Sequence, residues 1–358
     1  MLTNKLGGQF LAAVVFLILY GLIMIYSCSW IYSDVYYGNS YQLLIKQLLA
    51  CAIGIVALWV FSRVDYLVLT EWSEVALLVF LFLTALTLIP AFSSQGRWLD
   101  VGPFALQPTE GLKFALLLWT AITIQRKEKK LGDFVEGVLP FFVMLGFISL
   151  FTLTQPDFSM TMVYVSLVFF MLFIAGAKLK NLGKVVMGAL PLFGGLLVMA
   201  PYRFQRLIAF ANPLQHSQDE GYQLMQSLMA LGSGGVLGRG LGQSAEKFLY
   251  LPSAHNDFIF AILGEELGFI GAFILIGLFV YLGTKGFQIA LKVEDRTGKL
   301  IAAGITFLFL YQAVLNFCVT LGLLPVTGLT LPFISYGGSS LIVSLAMVGT
   351  MLNISKSL

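Results

Sequence analysis

Charge is what this sequence has least of. Its 358 residues hold 21 Lys+Arg and 18 Asp+Glu, only 11% of the chain, where a soluble domain carries about a quarter. That scarcity excludes a soluble globular protein. It also excludes intrinsic disorder, which needs high charge and low hydrophobicity. The formal net charge of +3 is too small and too scattered for a nucleic-acid binder, so no nucleic-acid partner is expected. Histidine is nearly absent: His216 and His255 cannot build a zinc site unaided, and there is no HExxH. Cys28, Cys51 and Cys318 all fall in apolar runs without a CxxC pair, so neither a disulfide framework nor a metal pair is expected. No internal repeat or matching pair of broken helices stands out, which weakens an inverted-repeat transporter reading.

What the chain has instead is apolar surface. It is 58% hydrophobic, with 31 Phe, 14 Tyr and 5 Trp, and its mean hydropathy is +0.90. Such aromatics fit an interfacial belt plus lipid-facing surface. A helix needs about 20 apolar residues to cross a bilayer. Ten segments qualify, some only with polar interruptions: 9–29, 42–62, 72–92, 109–125, 137–154, 158–176, 185–201, 258–284, 300–322 and 335–354. The expected fold is therefore an all-α polytopic membrane protein of ten transmembrane helices, one integral membrane domain over 1–358. The long runs exclude the short alternating strands of an outer-membrane barrel. The first run exceeds a signal-peptide core and lacks a small-x-small site, so it reads as a retained span. With both termini in the cytoplasm, fourteen of the 21 Lys and Arg fall in cytoplasmic connections, as the positive-inside rule asks.

One connection is anomalous. Residues 202–257, between spans seven and eight, form a long extracytoplasmic loop with a glycine cluster, GSGGVLGRGLG, at 232–242. Long ordered loops are usually functional. YQLMQSLMAL at 222–231 has helical periodicity and could lie along the membrane surface or re-enter it. The glycines allow close backbone approach to a ligand but spell neither a Walker loop nor a dinucleotide fingerprint. A flexible surface loop is the plain alternative.

Ionisable residues within or beside spans are costly and so become site candidates. Asp257, in LPSAHNDFIFA at 251–261, stands where the long loop enters span eight. It is either a helix cap or a desolvated carboxylate with a raised pKa, fit to act as general base. Glu110 and Lys113 in LQPTEGLKFA at 106–115 share one helix face at i,i+3. They are either a structural ion pair or the lining of a polar cavity that holds an anion. Arg203, Arg206, Arg239 and Lys247 lie on the side where positive charge is normally avoided. A diphosphate ligand would explain them, because Arg binds phosphate oxygens bidentately. Solubility and local pairing with Asp219, Glu220 and Glu246 are the alternative. Glu265 and Glu266 would lie about 12 Å deeper than Asp257 and make polar contacts between helices. The last outer connection, 322–340, has two prolines and four glycines. Such breaks persist in apolar sequence only where protein or a cavity covers the backbone, which suggests a shaped pocket with Ser339 as a substrate-binding candidate.

QPTEGLK (107–113), QPD (155–157), YQLMQSLMALGSGGVLGRGLG (222–242), YLPSAHNDFIFAILGEELGFIGA (250–272) and LPVTGLTLPFISYGGSS (324–340) together resemble the SEDS family (shape, elongation, division and sporulation). The resemblance covers essentially the whole chain and is closer to the FtsW and SpoVE branches than to RodA. It implies a peptidoglycan glycosyltransferase in the bacterial cytoplasmic membrane. The substrate would be lipid II, a disaccharide-pentapeptide on undecaprenyl diphosphate, and the partner a class B penicillin-binding protein. Membrane lipids would surround the spans. By position, Asp257 would be the essential carboxylate, and Glu110 and Lys113 the polar pair of the substrate cavity. A divalent cation, Mg or Mn, could sit between Asp257 and the diphosphate. Lipid II transport and a non-catalytic scaffold role in the division or elongation machinery are the competing functions. Two positions depart from the family pattern: Asn256 replaces a usual Thr, and Phe158-Ser159-Met160 follows Asp157 where Leu-Gly-Thr is usual. The first could alter local hydrogen bonding, and the second puts the turn at that segment in question.

Overall fold

The computed structural model describes all residues except 1–3, 94–95, 102–103, 156, 200, 214 and 216–220. Thirteen α-helices follow in order: α1 (Lys5–Tyr37), α2 (Gln42–Arg63), α3 (Tyr66–Glu71), α4 (Ser73–Leu86), α5 (Pro108–Arg126), α6 (Leu139–Thr154), α7 (Phe158–Ile174), α8 (Leu179–Met199), α9 (Pro201–Ala211), α10 (Tyr222–Gly234), α11 (Ile259–Lys292), α12 (Arg296–Thr320) and α13 (Gly338–Ser355). Each of the ten apolar segments holds one of these helices. Among the described residues, six helical stretches are long and apolar enough to cross a membrane: α1, α2, α6 with its preceding π turn, α11, α12 and α13. α4 and α7 are apolar but shorter. The chain is thus a multi-pass membrane protein.

Helix ends follow local chemistry. α1 stops at Gly38, whose φ of 66° lets its N–H return to Asp34 O at 2.9 Å, the left-handed ending that glycine permits. Pro108 opens α5, where a missing N–H costs nothing. Asp295 caps α12 by accepting from Gly298 N at 2.7 Å. α13 lies along α2, the most extensive helix pair in the molecule. A Cβ on Gly349 of α13 would stand 2.4 Å from Leu58 O, so that close approach requires glycine. Small residues serve such contacts in membranes, where packing rather than hydrophobic exclusion holds helices together.

α5 is the hub. It contacts α3, α4, α7, α12 and α13, and it is buried almost from end to end. Enclosure by neighbours is what makes its Glu110 and Lys113 tolerable at membrane depth.

Two expectations need correction. The fold is not purely helical: Leu99–Val101 (β1) and Phe104–Leu106 (β2) pair antiparallel, with Leu99 opposite Leu106. Segments this short carry no readable period-2 signal. Within the 202–257 connection, the helical periodicity read at 222–231 is met by α10 (Tyr222–Gly234), and α9 precedes it, so the alternative of a flexible loop falls. α10 packs on α11 so tightly that a Cβ on Gly234 would meet Gly264 O at 2.0 Å. The eighth segment is not one continuous helix either. At Gly268 the backbone turns to φ 66°, ψ −165°, which separates a short N-terminal piece starting at Ile259 from the long remainder.

Candidate active site

A cavity of about 840 Å³ opens between the loop before α11, the loop before α13, the β-hairpin and the facing sides of α1, α2 and α5. That volume suits a sizeable ligand. Asp257, Glu110, Asp157, Arg97, Lys46 and Ser339 all line it. The sequence motifs around residues 107, 155, 250 and 330 thus converge on one space.

Asp257 sits two residues before α11 and does not cap it: Phe258 occupies the cap position. Its main chain is held from two sides. Asn316 of α12 donates through Nδ2 to Asp257 O at 2.8 Å and to Leu329 O at 2.9 Å. Ser335 Oγ donates to Asn256 O at 2.6 Å, and Tyr336 N donates to His255 O at 2.9 Å. The two loops are therefore stapled together with the carboxylate between them. Across from it, Gly328 has φ 73°, and a Cβ there would lie 3.6 Å from Asp257 Oδ2. Glycine leaves that side of the carboxylate open.

Burial pushes the Asp257 carboxyl up to about 6. Arg97 and Arg206 pull it back down, and the like charge of Asp157 adds to the rise. Burial also raises Asp157, against the pull of Arg97 and the Met160 amide. His255, two residues from Asp257, is lowered to about 4 by burial and is a neutral imidazole at pH 7. The result is a carboxylate, Asp257, whose raised pKa suits a base in a partly desolvated pocket that it shares with Asp157 and Glu110, with Arg97 and Arg206 acting on it.

The other candidates divide. Glu110 lines the cavity, while Lys113 stands behind it, wholly buried, with Nζ 2.6 Å from Glu110 Oε2 and 3.2 Å from Gln312 Oε1. The ion pair and the cavity lining are both present; the lysine supports the glutamate that faces the space. Ser339 is on the wall, its Oγ accepting from Gln107 N at 3.0 Å and reaching Ala105 O at 3.3 Å, which pins the start of α13 to the hairpin. Arg206 Nη1 donates to Val326 O at 3.4 Å and acts on Asp257 through its charge. Arg203 belongs to α9, but its side chain falls outside the described residues, as do His216, Asp219 and Glu220 altogether.

Arg239 and Lys247 do not reach the cavity, which corrects their placement as diphosphate ligands. Lys247 Nζ is buried against Glu266 Oε1 at 2.9 Å. Arg239 Nη1 pairs with Glu265 Oε1 at 3.1 Å. Ser244 Oγ donates to Glu265 Oε2 at 2.5 Å, and Ser27 Oγ of α1 to Glu266 Oε2 at 2.5 Å. The break at Gly268 brings these two carboxylates to the end of a short helical piece, where the glycine loop wraps them. They anchor that loop and join it to α1.

Arg97, Lys46 and Asp157 also line the cavity; the sequence marks Arg97 and Lys46 only as basic residues off the cytoplasmic side and Asp157 only as part of the QPD motif, without assigning them to the site. Arg97 donates through Nε to Gln155 O at 3.0 Å, so it spans from the hairpin side to the QPD segment. A lone arginine in an outer connection was visible as an exception to the positive-inside rule, and that was the available signal. The two departures are absorbed locally. Asp157 caps α7 by accepting from Met160 N at 3.2 Å, and Ser159 Oγ donates to Thr327 O. Asn256 keeps its main-chain bonds, while its Oδ1 is buried with no hydrogen-bond partner.

Comparison with known proteins agrees in extent. A family model described as "Cell cycle protein", covering FtsW, RodA and SpoVE, matches residues 9–358. Stage V sporulation protein E of Bacillus subtilis is 39% identical over 99% of this chain and 99% of its own. "Probable peptidoglycan glycosyltransferase FtsW" of Trichlorobacter lovleyi is 39% identical over 97% of this chain and 92% of its own. Among solved structures, a chain of a peptidoglycan synthase complex that coordinates polymerization and crosslinking superimposes with a TM-score of 0.77 at 25% identity, covering 97% of this chain and 96% of that one. Thermus thermophilus rod shape determining protein RodA gives 0.66 at 26% identity, covering 97% and 95%.

Proposed function

The chain belongs to the FtsW/RodA/SpoVE family of cell cycle proteins, and from that premise we propose that it is a peptidoglycan glycosyltransferase. It polymerises lipid II into β-1,4 glycan strands at the outer face of the cytoplasmic membrane. The observation that carries this reading is Asp257: one carboxylate with its pKa raised to about 6, on the wall of an 840 Å³ cavity shared with Arg97 and Lys46.

The chemistry asks for that arrangement. An α-linked sugar diphosphate that becomes a β-glycoside inverts at the anomeric carbon. A single displacement needs one base to take the acceptor hydroxyl proton, not a second carboxylate as nucleophile. Asp257 takes the proton as the acceptor oxygen bonds to the anomeric carbon, and the bond from that carbon to the diphosphate oxygen breaks. Charge develops on the departing diphosphate, and fixed cations aimed at it lower the barrier. Arg97 and Lys46, which line the cavity, and Arg206, whose charge acts on Asp257, are the cations proposed for this; Arg203 of α9 remains a candidate from the sequence. Glu110, steadied by Lys113, supplies a polar wall with Ser339.

A divalent ion fits the donor set in a limited way. No group of three metal-ligating side chains gathers among the described residues. Mg²⁺ or Mn²⁺, however, is commonly held by one or two carboxylates together with substrate phosphates, and Asp257 could hold an ion jointly with the diphosphate. Such an ion would neutralise phosphate charge.

The topology that suits this reading has ten spans, both termini cytoplasmic and the 202–257 connection outside. The partner that the family resemblance implies is a class B penicillin-binding protein, which suits the similarity to a chain of a synthase complex that coordinates polymerization and crosslinking. The test is purified protein in detergent with lipid II and its cognate partner, assayed for glycan polymer. Polymer formation supports the reading. No polymer, with lipid II crossing liposome membranes instead, replaces it with transport.

A further inference from the structure

The outer end of α1 carries Tyr32, Tyr36 and Tyr37. Thirty-three helical residues extend about 50 Å, against a hydrocarbon core of about 30 Å. The helix therefore outruns the core; Tyr32, Tyr36 and Tyr37 follow its apolar run at 9–29 and lie in the last two turns before the 38–41 connection, which the proposed topology puts at the headgroup layer. Interfacial tyrosines ordinarily face lipid headgroups. Tyr26 of α1 stacks on Tyr41 with centroids 5.9 Å apart and is not among the residues that line the cavity. Tyr32 and Tyr37 both line the cavity that holds Asp257.

There they join a continuous aromatic surface. The Tyr32 ring lies 4.7 Å from His255, and His255 lies 5.8 Å from Tyr336. Tyr336 and His255 line the same cavity, and His255 is two residues from the proposed base. Tyr37 continues the surface outward, beneath Lys46 Nζ at 5.0 Å from the ring centroid. The rings are flat and apolar in face but carry hydroxyl and imidazole polar edges.

A surface of this kind discriminates among the parts of the substrate. A diphosphate needs cations, and the surface has one, at its outer edge. A polyprenyl tail needs a face at membrane depth, and the surface stands outside the core. A pyranose fits both properties: its C–H face lies on an aromatic ring, and its equatorial hydroxyls meet the polar edges. We propose that Tyr32, His255 and Tyr336, continued by Tyr37, form a stacking wall for the hexose rings of the glycan strand beside the bond being made. The proposal rests on the glycosyltransferase reading. Stacking on a sugar face does not depend on which repeat unit is present, much as aromatic platforms hold single-stranded nucleic acid without sequence preference. The strand can therefore shift along the wall by one disaccharide after each addition without leaving it, and the wall sets how many additions occur before release.

The test uses the full chain with its cognate partner and two readouts. Strand length is read on a gel from lipid II polymerisation. Binding of chitotetraose, a β-1,4 tetramer of N-acetylglucosamine, is read by saturation-transfer NMR and titration. Tyr32→Leu and Tyr336→Leu should weaken chitotetraose about two- to tenfold, the worth of an aromatic contact, and should shorten strands. The matching Phe variants, which keep the ring, should fall between Leu and wild type. Tyr37→Leu, at a half-exposed position on the last turn of α1, tests the wall without risk to folding and should shorten strands in the same direction. Leu variants with wild-type strand length and unchanged chitotetraose affinity would overturn the wall. A wild type that binds chitotetraose at these rings but makes no polymer refutes the glycosyltransferase reading and leaves the sugar surface standing.

Discussion

The pH dependence of polymerisation follows from the groups around Asp257. A base must be ionised to accept a proton, and the pKa of about 6 puts that ionisation just below neutrality. At pH 7 about nine-tenths of the carboxylate is ionised, and at pH 5 about one-tenth. The value of kcat/KM, which reports the free enzyme, should therefore rise roughly tenfold from pH 5 to pH 7 and level off above. An aspartate at the ordinary value near 3.9 would give almost no change over that range. The neighbours give the sign of two further shifts. Arg97 favours the charged form, so Arg97→Gln should move the acid limb to higher pH. Asp157 opposes it, so Asp157→Asn should move the limb to lower pH. Arg206 acts with Arg97, and His255 stays neutral throughout the range. Initial rates at saturating and limiting lipid II, from pH 5 to 8, give the profile. A flat profile, or shifts of the opposite sign in the two variants, would refute Asp257 as the titrating base.

Other consequences are independent of that profile. Asn316→Ala removes both bonds that fix Asp257 and Leu329; a misplaced base should cost about 10²-fold in kcat with little change in KM, measured by steady-state kinetics. Lys247→Met leaves Glu266 buried and unpaired, which should destabilise by about 3–5 kcal/mol, while the double variant Lys247→Met/Glu266→Gln recovers most of that in thermal unfolding. Gly234→Ala forces a Cβ onto the Gly264 carbonyl at 2.0 Å; since neither partner is a flexible side chain, α10 must separate from α11, with a loss of about 1–3 kcal/mol or more and weakened protection of α10 in hydrogen exchange. Chelation by EDTA should lower turnover, with recovery on adding Mg²⁺ or Mn²⁺; turnover indifferent to EDTA would leave the diphosphate to Arg97, Lys46 and α9.

The helices were legible because apolar runs of membrane length are a strong signal, and each predicted segment holds a helix. The β-hairpin was not, since three-residue strands have no readable period. Asp257 and Glu110 stood out as carboxylates where carboxylates are costly, and both line the cavity. Arg239 and Lys247 stood out by the same logic and serve another purpose. Their partners Glu265 and Glu266 were visible in sequence, but the positive φ at Gly268 that folds the glycine loop onto them was not. Arg97 and Asp157 lie far apart in sequence from Asp257, and only the packing around α5 brings them to it. Tyr32 and Tyr336 were counted among the aromatics of a membrane protein; nothing local separates a cavity-facing tyrosine from a lipid-facing one.

The most direct measurement compares wild type with Asp257→Asn in a gel assay of lipid II polymerisation, with thermal unfolding and partner binding checked in parallel. Asparagine keeps the side chain's size and the main-chain bond from Asn316, and removes the capacity to take a proton. The account predicts a folded, partner-binding protein with no detectable strand formation. Wild-type strand formation by Asp257→Asn would contradict it.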